Sequence, residues 1–234
     1  MTAAPTLPMD EIARRLDAVH ERIARACDRA HREPSSVRLV LASKTQPPAM
    51  IAAAYAAGAR DFGENYVQEA IVKRAALAHL HEARWHLIGH LQGNKARVAA
   101  KNFTLLHTLD SLRVANALAR ARPAPPMPVL IEVKLGGEPS KSGITPDAVA
   151  GLIESARVLV EVRGLMTIPP RAANPAAARR WFAQLRELRD RLAAESGLAL
   201  NELSMGMSDD YAVAIEEGAT IVRVGRAVFG ERAG

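Results

Sequence analysis

The sequence is poor in several residue types, and each scarcity closes off a class of protein. A single cysteine, Cys27, stands among 234 residues, so no intramolecular disulfide forms and no cysteine metal cluster can be assembled. In a helix-patterned segment that thiol reads as a small buried hydrophobe. Aromatic residues make up only 4% of the chain, too few to grip nucleic acid by base stacking, and no nucleic-acid recognition motif is present. No apolar run approaches the ~18 residues of a membrane span. The N-terminus lacks the basic-then-apolar order of a secretory signal. Its arginine-rich start, "MDEIARRLDAVHERIARACDRAHRE", carries Asp10, Glu11, Asp17 and Glu21, against the acid-poor composition of organelle transit peptides. The expectation is a cytoplasmic protein with neither a membrane nor a nucleic-acid partner.

What is present is an ordinary globular composition, 49% hydrophobic and 24% charged, with a net charge of +6. That balance favours anionic ligands such as phosphate groups, although the basic residues are spread along the chain. Eight β-rich runs, at 37–44, 59–64, 83–90, 103–109, 128–135, 160–168, 201–207 and 219–225, alternate with alanine-rich helical patterns at 47–57, 66–80, 93–101, 111–120, 145–157, 175–196 and 208–217. Ser111, Thr145 and Ser208 stand where helix N-caps are wanted, and Gly58 and Gly218 where helices stop. The proline-rich "RPAPPMP" at 122–128 reads as a stiff connector.

Alternating strands and helices predict an α/β fold with a parallel sheet, and eight repeats predict a closed (β/α)8 barrel. The fold typically needs ~250 residues; here a full helix after strand eight is missing, and an extra N-terminal helix over 10–31 is expected to cover that seam. One domain spans 1–234, with its core at about 10–231.

In such barrels chemistry gathers at the C-terminal ends of the strands. Lys44 ends the first run, "GENY" follows the second, "GMS" the seventh, and "RVGRA" closes the eighth. Ser208 there is either a structural cap or a hydroxyl for an anion, and Gly225 admits close backbone approach. A lysine withdrawn from water has its pKa lowered, freeing an amine that can condense with an aldehyde. Amine plus phosphate cradle suggests pyridoxal 5′-phosphate (PLP). His86 and His90 have the spacing of helical zinc ligands but fall in a strand-like run, where they lie ~13 Å apart; they read as core or rim histidines, with no metal.

The ordered blocks "LVLASKTQP", "DFGENYVQEA", "WHLIGHLQGNK", "LLHTLDS", "GEPSKSGI", "GLMTIPP", "LSMGMSDDYAVAIEEGAT" and "VRVGRAVFG" closely resemble the YggS/PROSC family of pyridoxal phosphate homeostasis proteins. The resemblance implies a barrel like the N-terminal domain of alanine racemase, with PLP held as a Schiff base on Lys44. It implies that Asn65 lies near the cofactor ring, that Met207, Ser208, Gly225 and Arg226 surround the phosphate, and that Arg223 faces the pyridine nitrogen. Arg226 departs from the pattern, since many relatives carry a small hydroxyl residue there.

A guanidinium beside the ring nitrogen keeps that nitrogen unprotonated, which makes the ring a weak electron sink. The function implied is therefore a non-catalytic carrier or regulator of the vitamin B6 cofactor, with PLP-dependent apoenzymes as acceptors. An amino-acid racemase is the alternative. Two-sided proton transfer needs an acid/base on each face of the substrate, and none of Tyr55, Tyr66 and Tyr211 is an evident second base. Lacking the racemase's partner domain, the protein is expected to be a monomer.

Overall fold

The computed structural model describes residues 7–122, 124–136, 142–170 and 173–231. Eight parallel strands close into a barrel in sequence order: β1 Arg38–Ala42, β2 Asp61–Glu64, β3 Arg84–Leu87, β4 Leu105–Leu109, β5 Pro128–Glu132, β6 Glu161–Met166, β7 Glu202–Ser204 and β8 Ile221–Val224. Closure is made by β1 and β8, with Arg38 opposite Ile221 and Leu41 opposite Val224. Every predicted run contains one of these strands. Residues 137–141 of the block "GEPSKSGI" and Pro123 of the connector lie outside the described residues.

The outer layer consists of α2 Pro48–Ala56, α3 Val67–Ala76, α4 Ala96–Asn102, α5 Leu112–Ala121, α6 Pro146–Ala156, α7 Arg179–Ser196, α8 Tyr211–Glu216 and the single turn α9 Arg226–Phe229. Gly58 and Gly218, at φ +99° and +96°, turn the chain out of α2 and α8 in the left-handed region that glycine tolerates. Ser111 and Thr145 do occupy the N-cap positions of α5 and α6, yet neither side chain makes a cap hydrogen bond.

The long helix α1, Met9–Arg29, precedes the barrel. Its buried stripe Ile12, Leu16, Val19, Ile23, Ala26 and Cys27 recurs at the three- and four-residue spacing of one helix face. That face packs against α2, α8 and α9, so α1 covers the seam that the one-turn α9 leaves open. Arg29 of α1 also reaches Glu216 at the end of α8, which pairs in turn with Arg179 of α7.

Most buried apolar side chains form one core. A separate cluster of Val40, Leu105, Leu130, Met166 and Ile221, one residue from each of five strands, fills the barrel lumen. The rest of the lumen is polar: Asp61, His86, His107, Ser204 and Arg223 are all buried.

Two expectations are corrected. The β1 ladder ends before Lys44: Ser43 donates to the Gly63 carbonyl at 2.9 Å, and Gln46 then turns back to the Ser43 carbonyl at 2.9 Å. Thr45 sits at φ +66°, a conformation that takes the chain out of the sheet. Ser208 is not a helix N-cap. The α8 helix starts at Tyr211 with Asp210 at the cap position, because the Asp210 carboxylate accepts the Met207 N–H at 2.7 Å and folds 207–210 into a turn of its own.

Candidate functional site

The β1–α2 loop that carries Lys44 is clamped from below. Ser43 donates through Oγ to Glu64 Oε1 at 2.6 Å, and the Lys73 ammonium donates to the Ser43 carbonyl at 2.7 Å and to Glu64 Oε1 at 2.9 Å. Glu69 Oε1 accepts from both Lys73 Nζ and the Thr45 N–H, each at 2.6 Å. Burial pushes the Glu64 carboxyl up, and the hydrogen bonds from Ser43 and Lys73 oppose it. The residues on both sides of Lys44 are thus pinned to β2 and α3, and its half-buried side chain leaves from a fixed point. Sequence reasoning missed Glu64, Glu69 and Lys73. The i, i+4 spacing of Glu69 and Lys73 was a visible signal, but nothing in it revealed a buried third partner.

Lys44, Asn65, Met207, Ser208, Arg223, Gly225 and Arg226 all line one cavity of about 420 Å³ at the C-terminal mouth of the barrel. Gly225 is needed where β8 meets β1: a Cβ there would lie 3.0 Å from the Ala42 carbonyl oxygen and 3.3 Å from the Ala42 Cβ. That close approach brings the two ends of the sheet, and with them Lys44 and Arg223, to the same opening. Ser208 Oγ accepts the Ala227 N–H at 3.3 Å, which ties the loop after β7 to the first turn of α9. Met207 is exposed at the rim.

Arg223 is the buried cation of the site, 4% exposed. It donates through Nη1 to Ser204 Oγ at 2.6 Å and through Nη2 to the Thr167 carbonyl at 2.9 Å. Burial lowers its pKa to about 10, with the Glu132 and Asp210 charges opposing, so it stays charged at neutral pH. Arg226 extends across the rim to form ion pairs with Asp209 and, at 3.3 Å, with Glu231.

An amine, a buried guanidinium, and a hydroxyl beside a glycine-framed turn together suit an anionic aromatic ring that carries a carbonyl. No group of three or more metal-ligating side chains occurs among the described residues. His86 and His90 do not share a strand: β3 ends at Leu87, His86 is buried in the lumen, and His90 lies in the loop beyond, exposed and paired with Asp110 at 3.1 Å.

Residues 15–233 match the model of the alanine racemase N-terminal domain. A pyridoxal phosphate homeostasis protein of Pseudomonas aeruginosa is 46% identical over 96% of this chain and 97% of its own length. One from Aquifex aeolicus is 47% identical over 93% and 97%. The chain belongs to the pyridoxal phosphate homeostasis protein family.

Among solved structures of similar proteins, PipY of Synechococcus elongatus PCC7942 superposes with a TM-score of 0.84, covering 94% of this chain and 100% of that one. It has been solved without PLP, at 41% identity, and with PLP bound, at 40%. The barrel described above is therefore shared with PipY.

Proposed function

We propose that this protein binds pyridoxal 5′-phosphate and serves the homeostasis of that cofactor, holding and releasing it rather than turning over a substrate. One observation carries the reading: Lys44, Arg223 and the Met207–Ser208 and Gly225–Arg226 turns line a single cavity in a chain 40% identical to a relative solved with PLP bound. When present, the cofactor supplies an aldehyde that a lysine amine can join covalently and a ring that withdraws electrons.

In this reading Lys44 is the attachment point, and the clamp around Ser43 and Thr45 holds its amine in place. Arg223 faces the ring nitrogen. Its fixed charge disfavours a proton on that nitrogen and leaves the ring a poor electron sink, which suits storage better than carbanion chemistry. Asn65 lies beside the ring, while Ser208, the main chain at Met207 and Gly225, and Arg226 surround the phosphate. Arg226 pairs with Asp209 through Nη2 and with Glu231 through Nε, and its Nη1 group supplies further N–H donors for a phosphate. Release follows when an incoming amine, free or on a PLP-dependent apoenzyme, displaces Lys44. The protein acts as a monomer in the cytoplasm.

The test is the visible spectrum of purified protein mixed with PLP, followed by borohydride reduction and mapping of the modified lysine. Wild type should show a long-wavelength band and a modified Lys44, and Lys44→Ala should lose both. A band that survives in Lys44→Ala refutes the attachment. The racemase alternative draws support from the match to the alanine racemase domain; Tyr66, 66% exposed, borders a neighbouring cleft rather than the cavity. Incubation with L-alanine should yield no D-alanine above background, and sustained turnover would reverse the assignment.

A further inference from the structure

Behind Arg223 an unbroken line of hydrogen bonds crosses the barrel lumen. Ser204 Oγ, which accepts from Arg223 at 2.6 Å, lies 2.8 Å from His107 Nδ1; His107 Nε2 is 3.0 Å from His86 Nδ1; and His86 Nε2 is 2.9 Å from Asp61 Oδ1. Arg84 then clasps both oxygens of Asp61, at 2.8 and 2.6 Å. Ser204 and His107 are fully buried, His86 is 2% exposed and Asp61 5%. The residues come from β7, β4, β3 and β2, so the line runs from the cofactor mouth toward the opposite end of the barrel.

The two ends fix the direction of every bond between them. A guanidinium only donates, so Ser204 Oγ accepts from Arg223 and can offer its single proton to His107. Burial pushes the Asp61 carboxyl up, but the bonds from Arg84 and His86 outweigh it and hold the carboxyl well below the usual carboxylate range. It is an acceptor, so His86 carries its proton on Nε2 and accepts at Nδ1. His107 must then donate from Nε2 and accept the Ser204 proton at Nδ1. Both deductions meet with each imidazole neutral, in agreement with burial, which lowers the pKa of both rings.

A proton added to His86 would force His107 to accept at Nε2 and to donate from Nδ1. Ser204 Oγ would then face two donors. Its own proton would have lost its acceptor, at a buried position where an unmet polar group is costly.

We infer that Ser204, His107, His86 and Asp61 are positioning residues for Arg223: their one-way hydrogen-bond chain fixes the orientation of the guanidinium that meets the cofactor ring. The inference rests on the proposed PLP site. Asp61 supplies a negative charge at the far end, and each bond in such a line polarises the next, so the Ser204 oxygen becomes a better acceptor for the guanidinium. The Thr167 carbonyl holds the other Nη group. Two anchors at fixed positions leave the cation one orientation, aimed before a ligand arrives.

Two measurements test this. Nitrogen-15 NMR of the ligand-free protein should find both His86 and His107 as neutral, Nε2-protonated tautomers; an Nδ1-protonated or charged ring at neutral pH overturns the chain. Titrations with PLP and with inorganic phosphate then compare wild type with Ser204→Ala and Asp61→Asn. Ser204→Ala should weaken PLP about tenfold and shift its absorption maximum while leaving phosphate affinity unchanged, since Arg223 serves the ring rather than the phosphate. Asp61→Asn should act in the same direction by about two- to threefold. Equal losses for both ligands, or none for either, refute the positioning role. A wild type that takes up no PLP would sink the site reading, and the tautomers would still decide the chain on their own.

Discussion

Glu132 closes β5 with its side chain 95% buried, since only 5% of the residue is exposed, and its Oε2 has no hydrogen-bond partner among the described residues. Burial, followed by the Asp110 charge, pushes its carboxyl from the ordinary 4.5 up to about 7, with Arg223 opposing. A carboxyl raised on folding contributes its stability below the unfolded pKa and loses it as pH rises. The loss therefore develops between about pH 4.5 and pH 7, reaching about 3 kcal/mol if the full difference is counted at ~1.4 kcal/mol per unit. Glu132→Gln should stabilise the protein by about 2 kcal/mol at pH 8 and by nearly nothing at pH 4. Urea unfolding at the two pH values measures this, and an equal shift at both would contradict it. Asp61 has the opposite sign. Its folded pKa is depressed, so its contribution is complete above the ordinary carboxylate value and disappears only in stronger acid.

Among the elements, the β1–α2 loop depends on α3 through Lys73. Lys73→Met would leave Glu64, fully buried, without its cation. Removing one member of a buried pair costs about 3–5 kcal/mol, and the same change leaves the Ser43 carbonyl beside Lys44 held only by the Gln46 N–H. A lowered urea midpoint together with weaker PLP uptake is expected; an unchanged midpoint would show that the clamp bears no load. Gly89, after β3, abuts the β2–α3 loop so tightly that a Cβ would lie 2.3 Å from the Asn65 carbonyl oxygen and 2.7 Å from its Cα. Gly89→Ala must shift Asn65, and PLP affinity should fall several-fold with little change in the unfolding slope.

These elements also show what was legible in the chain. The strands could be read because each lies in a short β-rich run between helical patterns, and α1 because its stripe repeats at helical spacing. Ser208 was misjudged as a cap because a serine before two aspartates has the composition of a helix start. Only the Asp210 side chain folding back on the Met207 amide moves that start to Tyr211. The lumen chain was hidden for a different reason. His86, His107 and Ser204 are single polar residues inside apolar runs, and their meaning comes from neighbours in other strands that periodicity cannot pair.

For the molecule as a whole, the barrel is closed by β1 against β8 and sealed by α1. Leu16, fully buried on the inner face of α1, should cost about 2–5 kcal/mol as Leu16→Ala, read as a lower melting temperature; a loss below 1 kcal/mol would mean that the helix is an ornament on a self-sufficient barrel.

The close approach of Gly225 to Ala42 also has a consequence in time. Lys44 follows the first strand and Arg223 lies in the last, so the two groups proposed to hold the cofactor are synthesised at opposite ends of translation. Contacts so distant in sequence form late and slowly. A nascent chain still short of β8 has an amine but no partner to hold a ring against it. Cofactor capture should then report completion of the barrel, appearing only when the last strand has found the first.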